Sequence, residues 1–378
     1  MIDGMYPAAL AVTPALHAHF AREAAQASAR GGTITAPPSE AIIEAIITVG
    51  FWASLRREEG YVPRISLAFV PPQHSTHAMT FDRALPLDPA LLARVAPAVE
   101  RAGIHLGVSQ EGGELWVWGA TRLLPPSCFV LEVTAPGLLV IKQTQAEEGA
   151  KFVNVAVLEG DRVKLIDQKA SSLPDCPELV KSLLGFESPS SWVDAVNVLV
   201  ELAISIRAHR RGGLLIVVPH GSDGWRESLS RPSPYTLSPH FSGLAELMRE
   251  PARARRSRGW LDAIDRAVAQ VAGVTAVDGA TVLTDRYDLV AFGAKVLRRR
   301  GAPPVEQVSV SEPVVGDAPA VVPVVQLGGT RHLSGAQFAQ DQHDAVVLVA
   351  SQDGPFTVFA WSPCEGMVHA HRVETLLL

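Results

Sequence analysis

Cysteine is scarce in this chain. Its 378 residues hold three, Cys128, Cys176 and Cys364, an odd number with no Cys-x-x-Cys spacing. That pattern indicates neither a disulfide framework nor a zinc knuckle. Long apolar runs are missing too. The nearest approach to a membrane span, Trp192–Ile206, carries Asp194 and Glu201 and falls short of the ~20 residues needed to cross ~30 Å of hydrocarbon. The opening stretch MIDGMYPAALAVTPALHAHF has no basic region, and Pro14, His17 and His19 interrupt its apolar residues, so it does not read as a signal peptide. The expectation is a cytoplasmic protein without a membrane partner.

Positive charge is in deficit as well. Lys plus Arg is 33 against 39 for Asp plus Glu, a net charge of −6. No global field therefore attracts nucleic acid or an anionic membrane, and any polyanionic ligand must be held by a local site. Gly and Pro, 30 and 28 residues, are too few for a low-complexity or collagen-like chain. What is present is 47% hydrophobic residues, enough for real cores, over a length that suits two domains at roughly 100–200 residues each.

The first half reads as an α+β domain over residues 1–175. Leu16–Ser28 is Ala-rich and helical, and Ser39 stands as N-cap before Glu40–Ile47. Arg64–Val70 has the look of a strand ended by Pro71-Pro72, and Asp88 caps a helix over Leu91–Arg101. Six short alternating runs follow between His105 and Ile166, with Gly112-Gly113, Pro136-Gly137 and Glu159-Gly160-Asp161 as turns, which predicts an antiparallel meander. No chemistry is visible in it.

Proline and serine mark a boundary over Ser171–Ser191. The second domain, residues 190–365, opens with an amphipathic helix over Trp192–His209, a basic-Gly turn at Arg210–Gly213, and Leu214–Val218, an apolar run typical of a strand covered on both faces. A polar stretch over Pro219–Pro239, a helix over Trp260–Ala272 and strands at Thr281–Leu283 and Leu289–Phe292 come next. The Pro/Val-rich segment Ala302–Leu327 reads as an extended loop because of its prolines. A helix over Ser334–Gln342 and strands at Ala345–Ala350 and Thr357–Trp361 complete the domain, leaving 366–378 as a tail.

Two segments in this half, VDGATVLTDRYDLVAFGAKV (Val277–Val296) and GGTRHLSGAQFAQDQHDAVVLVASQDGPFTVF (Gly328–Phe359), carry a resemblance. An Asp-Gly-Ala turn beside a strand, followed by a Thr-Arg-His step at a helix start, resembles the diadenylate cyclase (DisA-N) family, which makes cyclic di-AMP from two ATP. The likeness covers about Trp192–Trp361. The whole chain also resembles the group described as the probable sensor domain DACNV. The fold implied is α/β: a mixed sheet flanked by helices, preceded by the α+β domain with its meander.

The resemblance implies a site between the two motifs. Thr330 and Arg331 would hold phosphate at a helix start, where free backbone N–H groups favour anions. His332 would orient phosphate or metal. Gly279 and Ala280 would line the base or ribose side, and Gly279 and Gly328-Gly329 would let the backbone approach the ligand. Asp278 would contact a ribose hydroxyl or, in an active enzyme, act in catalysis with Mg2+ or Mn2+. Two positions depart from the family pattern. Leu333 stands where the family has a second arginine, and Ser351-Gln352-Asp353 stands where it has Ser-Glu-Glu, so only Asp353 could serve as the missing metal ligand. Those losses favour binding over synthesis. The expectation is a nucleotide sensor for cyclic di-AMP or ATP, with a second copy of the chain or an effector protein as partner. An active diadenylate cyclase and an unliganded interaction module stay open as alternatives.

Other constellations read as structural. The loop Pro219–Gly224 puts His220, Ser222 and Asp223 together, but adjacent residues on one loop rarely form a triad. His17-x-His19, His74/His77 and His369-x-His371 lack a nearby carboxylate or cysteine companion and are expected at the surface. The arginines at 253, 255, 256 and 258 and at 298–300 read as solvated faces, with no interleaved aromatics.

Overall fold

The computed structural model describes residues 4–29, 36–75, 78–101, 103–144, 152–167, 175–177, 180, 198–231, 233–255, 257–351 and 355–378. The chain folds into two compact units, one running to Ile166 and one spanning Asp167–Leu377. Each is built on its own mixed sheet flanked by helices.

In the first unit, α1 (Pro7–Ala29) begins well before the Ala-rich run that announces it. Helix α2 (Glu40–Ser54) buries Ile42, Ile43, Ile46 and Ile47 at i, i+3, i+4 spacing. It presses hard on the sheet through Gly50, where a Cβ would sit 2.5 Å from the Leu131 side chain. Asp88 does cap α3 (Pro89–Val95), accepting from the N–H groups of Ala90 and Leu91, but the helix ends at Val95 rather than at Arg101.

The strands are β1 (Ile65–Phe69), β2 (Met79–Pro86), β3 (His105–Glu111), β4 (Glu114–Thr121), β5 (Phe129–Ala135), β6 (Leu138–Thr144), β7 (Phe152–Glu159) and β8 (Arg162–Leu165). Their order is β2-β4-β3-β1-β5-β6-β7-β8. The meander expectation therefore holds for β3–β4 and for β5–β8 but breaks between β4 and β5. Strand β1 lies between β3 and β5, parallel to β3 and antiparallel to β5. Its buried ISLAF run is the physical reason, since hydrogen bonds on both edges satisfy a backbone that has no access to water.

In the second unit, Asp175 accepts hydrogen bonds from Ser362 Oγ (2.7 Å) and the Cys364 N–H (2.8 Å). The helices are α4 (Val198–Ala208), α5 (Gly243–Arg249), α6 (Ala252–Arg255), α7 (Arg258–Val274) and α8 (Thr330–Asp341). Ser257 caps α7 through the Trp260 N–H. Residues 192–197 of the expected first helix lie outside the described residues.

Nine strands form the sheet: β9 (Gly213–Val218), β10 (Tyr235–Phe241), β11 (Ala280–Thr284), β12 (Leu289–Ala294), β13 (Gln307–Ser311), β14 (Ala320–Pro323), β15 (Val346–Ala350), β16 (Thr357–Ser362) and β17 (Met367–Arg372). They run in the order β10-β12-β11-β9-β15-β16-β17-β13-β14. Strand β9 is central and buried along its whole length, as its LLIVV run predicts.

Three expectations fail here. Residues 367–372 are not part of a tail but form β17, paired with both β16 and β13. The Pro/Val segment is not a loop throughout. It supplies the β13/β14 hairpin, and Pro323 ends the edge strand, where a missing N–H costs no ladder bond. The polar stretch after β9 contains most of β10.

Candidate functional site

Strand register decides whether the two motif segments meet. Strands β9 and β11 run parallel, with Ala280 beside Leu214, and β15 runs antiparallel to β9, with Ala350 beside Gly213. The Asp278-Gly279 turn, the Gly212 turn and the end of β15 therefore share one end of the sheet. Arg331 reaches the same place: its Nη1 lies 2.8 Å from where a Cβ on Gly212 would stand, and the Ala350 carbonyl oxygen is 3.1 Å from that point. One strand spacing, ~4.8 Å, separates the Gly212 turn from the turn that carries Asp278. The fold thus brings an exposed carboxylate and a half-buried guanidinium to neighbouring strand ends.

The helix that carries Arg331 begins earlier than expected. Thr330, Arg331 and His332 form the first turn of α8, and Gly329 is its N-cap with no side-chain cap. Thr330 and Gly329 are exposed there, and nothing lies within 4 Å of a Cβ placed on Gly329. Leu333, also in that first turn, is 43% exposed. A helix start without an acidic residue or a cap leaves donors and positive dipole available to an anion.

The other motif residues face inward. Ala280 is completely buried in β11, between β9 and β12. Gly279 has φ +108, and a Cβ on it would stand 2.5 Å from the carbonyl carbon of Gly293. Its freedom is spent on packing one backbone against another. His332 is also fully buried, edge-on to Phe359, with Nε2 3.4 Å from Thr357 Oγ1. Burial pushes its pKa down, which keeps the ring neutral. Gly328 makes room for that ring, since a Cβ there would lie 2.6 Å from Nδ1.

Of the residues expected to hold a dication, Asp278 presents an exposed carboxylate. A fully buried neutral imidazole is no counterpart to it, and Asp353, like Gln352, lies outside the described residues. No group of three or more His, Cys, Asp or Glu placed to hold a metal occurs among the described residues. Asp278 and His332 by themselves do not make a site for Mg2+ or Mn2+, and no step is routed through either ion.

His74 is exposed, as expected, and His77 lies outside the described residues, but His19, His369 and His371 are buried rather than at the surface. His19 is buried with Nε2 2.6 Å from Gln143 Oε1, His369 is buried beside Glu365 at 2.8 Å, and His371 is buried on Ser311 Oγ at 3.1 Å. The His220 loop sits at the opposite end of β9 from Gly212, where His220 pairs with Asp288 at 3.5 Å. A groove of about 350 Å³ beside Arg299, Pro303 and His343 lies at the far end of α8 from Arg331. Its Asp341 is already committed to the Arg299 N–H and to Gln337.

Sequence reasoning left out Tyr235, Phe292 and Gly293, which adjoin the Asp278 turn. A Cβ on Gly293 would lie 2.8 Å from Tyr235 Cδ2 and 3.4 Å from the Asp278 carbonyl oxygen. Strand β10 does alternate apolar Tyr235, Leu237 and Phe241 with polar Thr236, Ser238 and His240, but Pro239 inside the run weighs against a strand, and its pairing to β12 is a tertiary fact.

No helix among the described residues is long and apolar enough to cross a membrane. No curated protein matches the chain. Among solved structures it is similar to one titled as the crystal structure of the hypothetical membrane spanning protein from Bacillus cereus, at 14% identity, over 51% of this chain and 70% of that one, with a TM-score of 0.26. Residues 33–122 match the family described as "Probable sensor domain DACNV". That segment covers α2, β1–β4 and α3, all in the first unit, whereas Asp278 and Arg331 belong to the second. The sensor-domain match thus lies in the N-terminal unit.

Proposed function

We propose that the second unit binds a nucleotide, cyclic di-AMP or ATP, at the Asp278–Arg331 end of its sheet, and that the chain senses that ligand without synthesising it. One observation supports this reading above the others: the Arg331 guanidinium lies against Gly212, one strand from the Asp278 turn, at an uncapped helix start. A charge-assisted phosphate contact there is worth ~1.5–3 kcal/mol, more than the ~0.3–1 kcal/mol that the helix dipole adds alone. Leu333 offers no second cation, and His332 points into the core, so little remains to stabilise charge developing in a phosphoryl transfer.

Titration of the purified chain with cyclic di-AMP and ATP by calorimetry tests the proposal. Arg331→Ala should weaken binding about 10- to 100-fold, the equivalent of that contact. Absence of binding by either nucleotide at millimolar concentration would leave an unliganded interaction module. Cyclic di-AMP formed from ATP and Mn2+, and abolished by Asp278→Ala, would instead establish a cyclase.

A further inference from the structure

We infer that Tyr235 is a stacking platform for the planar base of the ligand, so that the site selects a nucleotide over a phosphate without a base. The inference rests on the proposed binding site at the same sheet end. Tyr235 opens edge strand β10 and pairs across the ladder with Phe292 of β12. The two rings stack with centroids 4.8 Å apart and planes 17° from parallel, so Phe292 backs one face of Tyr235. Half of Tyr235 is nonetheless exposed, at 50%.

The ring is held in place before any ligand arrives. Tyr235 Cδ2 lies 2.8 Å from where a Gly293 Cβ would stand, so any side chain at that position would push the ring away. Gly293 has φ +64, a conformation that suits glycine, and its backbone is in turn pressed against Gly279. Two glycines thus bring the aromatic ring, the β12 backbone and the Asp278 turn together. The carbonyl oxygen of Asp278 lies 3.4 Å from the same reference point, which puts it and the ring carbon within about 6.2 Å of each other. An aromatic face that is rigid, exposed and beside polar backbone suits a nucleobase, because every base has a π-face and stacking asks little of its edges.

The spacing also limits the ligand. From β10 to the Gly212 turn beside Arg331 is three strand spacings, about 14 Å. A ligand touching both must carry phosphate well away from its base, as a nucleoside triphosphate or a cyclic dinucleotide does. Stacking on Tyr235 would not separate adenine from guanine.

The test uses the full chain and its Tyr235→Ala, Tyr235→Phe and Arg331→Ala variants, titrated calorimetrically with cyclic di-AMP, ATP and inorganic tripolyphosphate. Tyr235→Ala should weaken the nucleotide that binds about 5- to 100-fold, the loss expected for one base–aromatic stack, and leave tripolyphosphate unchanged. Tyr235→Phe should bind as wild type does, and Arg331→Ala should weaken nucleotide and tripolyphosphate alike. Wild-type nucleotide affinity in Tyr235→Ala overturns the platform, while a weakened Arg331→Ala would still leave the phosphate site standing. An equal loss of tripolyphosphate in Tyr235→Ala also overturns it, because local distortion rather than stacking would then explain the change. If the wild-type chain binds neither nucleotide, the binding-site reading fails and the platform fails with it.

Discussion

Replacing Gly279 with alanine separates a glycine that admits a ligand from one that admits a neighbouring strand. The added methyl would stand 2.5–2.9 Å from the backbone atoms of Gly293, and backbone cannot swing aside as a flexible side chain can. The residue also holds φ +108, which a Cβ disfavours by ~1–3 kcal/mol. Overpacking a close backbone contact adds ~1–3 kcal/mol. The expected loss is roughly 2–6 kcal/mol, or a fall of at least ~5 °C in the Tm of a unit of this size. Differential scanning calorimetry reads it, with Gly329→Ala as the control. That position has φ −78 and open space around its Cβ, so it should cost no more than ~1 kcal/mol. A Gly279→Ala chain melting within a degree of wild type would refute the close approach of β11 to β12, and with it the placement of Asp278.

Acid should destabilise both units through histidines that fold in the neutral form. Burial lowers His105 in the first unit and His371 in the second to about 4. Between pH ~6.5 and ~4 the unfolded chain takes up protons that these folded rings refuse, so stability present above pH 6.5 is lost as pH falls, by up to ~3 kcal/mol per ring, and levels off below 4. Urea midpoints that stay constant from pH 7 to 4 would contradict this, and His371→Gln should flatten the slope for the second unit. Asp88→Ala removes the acceptor for two N–H groups of α3 and should cost the first unit ~1 kcal/mol, read as a Tm drop of about 2–4 °C. Leu333→Arg combined with Gln352→Glu should give detectable cyclic di-AMP from ATP and Mn2+ by chromatography. No product would show a pocket that has diverged beyond those two positions.

Local chemistry was legible wherever it acts over a few residues. Asp88 announces its cap, the isoleucines of α2 announce a buried face, and LLIVV announces a central strand, because each signal is a periodicity or a short-range hydrogen bond. The limits of α3 and α8 are less legible, since helix ends depend on which neighbours cover them. Pairing between distant strands left no local mark. Strand β1 enters the middle of its sheet, and β17 fills a gap between β16 and β13, and neither sequence says which strands become its neighbours.

For the candidate site the division is sharper. The residues Asp278-Gly279-Ala280 and Gly329-Thr330-Arg331-His332 are visible in the chain as two polar, glycine-bearing steps, each beside an element it helps to start. Their chemistry, a carboxylate and a guanidinium, is a property of the letters alone. Which of them faces solvent is not. Only the parallel register of β9 and β11 puts Asp278 and Arg331 at one sheet end, and only packing turns Gly279 toward Gly293 and His332 toward Phe359. Side-chain direction follows from contacts made across the chain, so composition and motif supply the groups while the tertiary fold chooses which of them a ligand can reach.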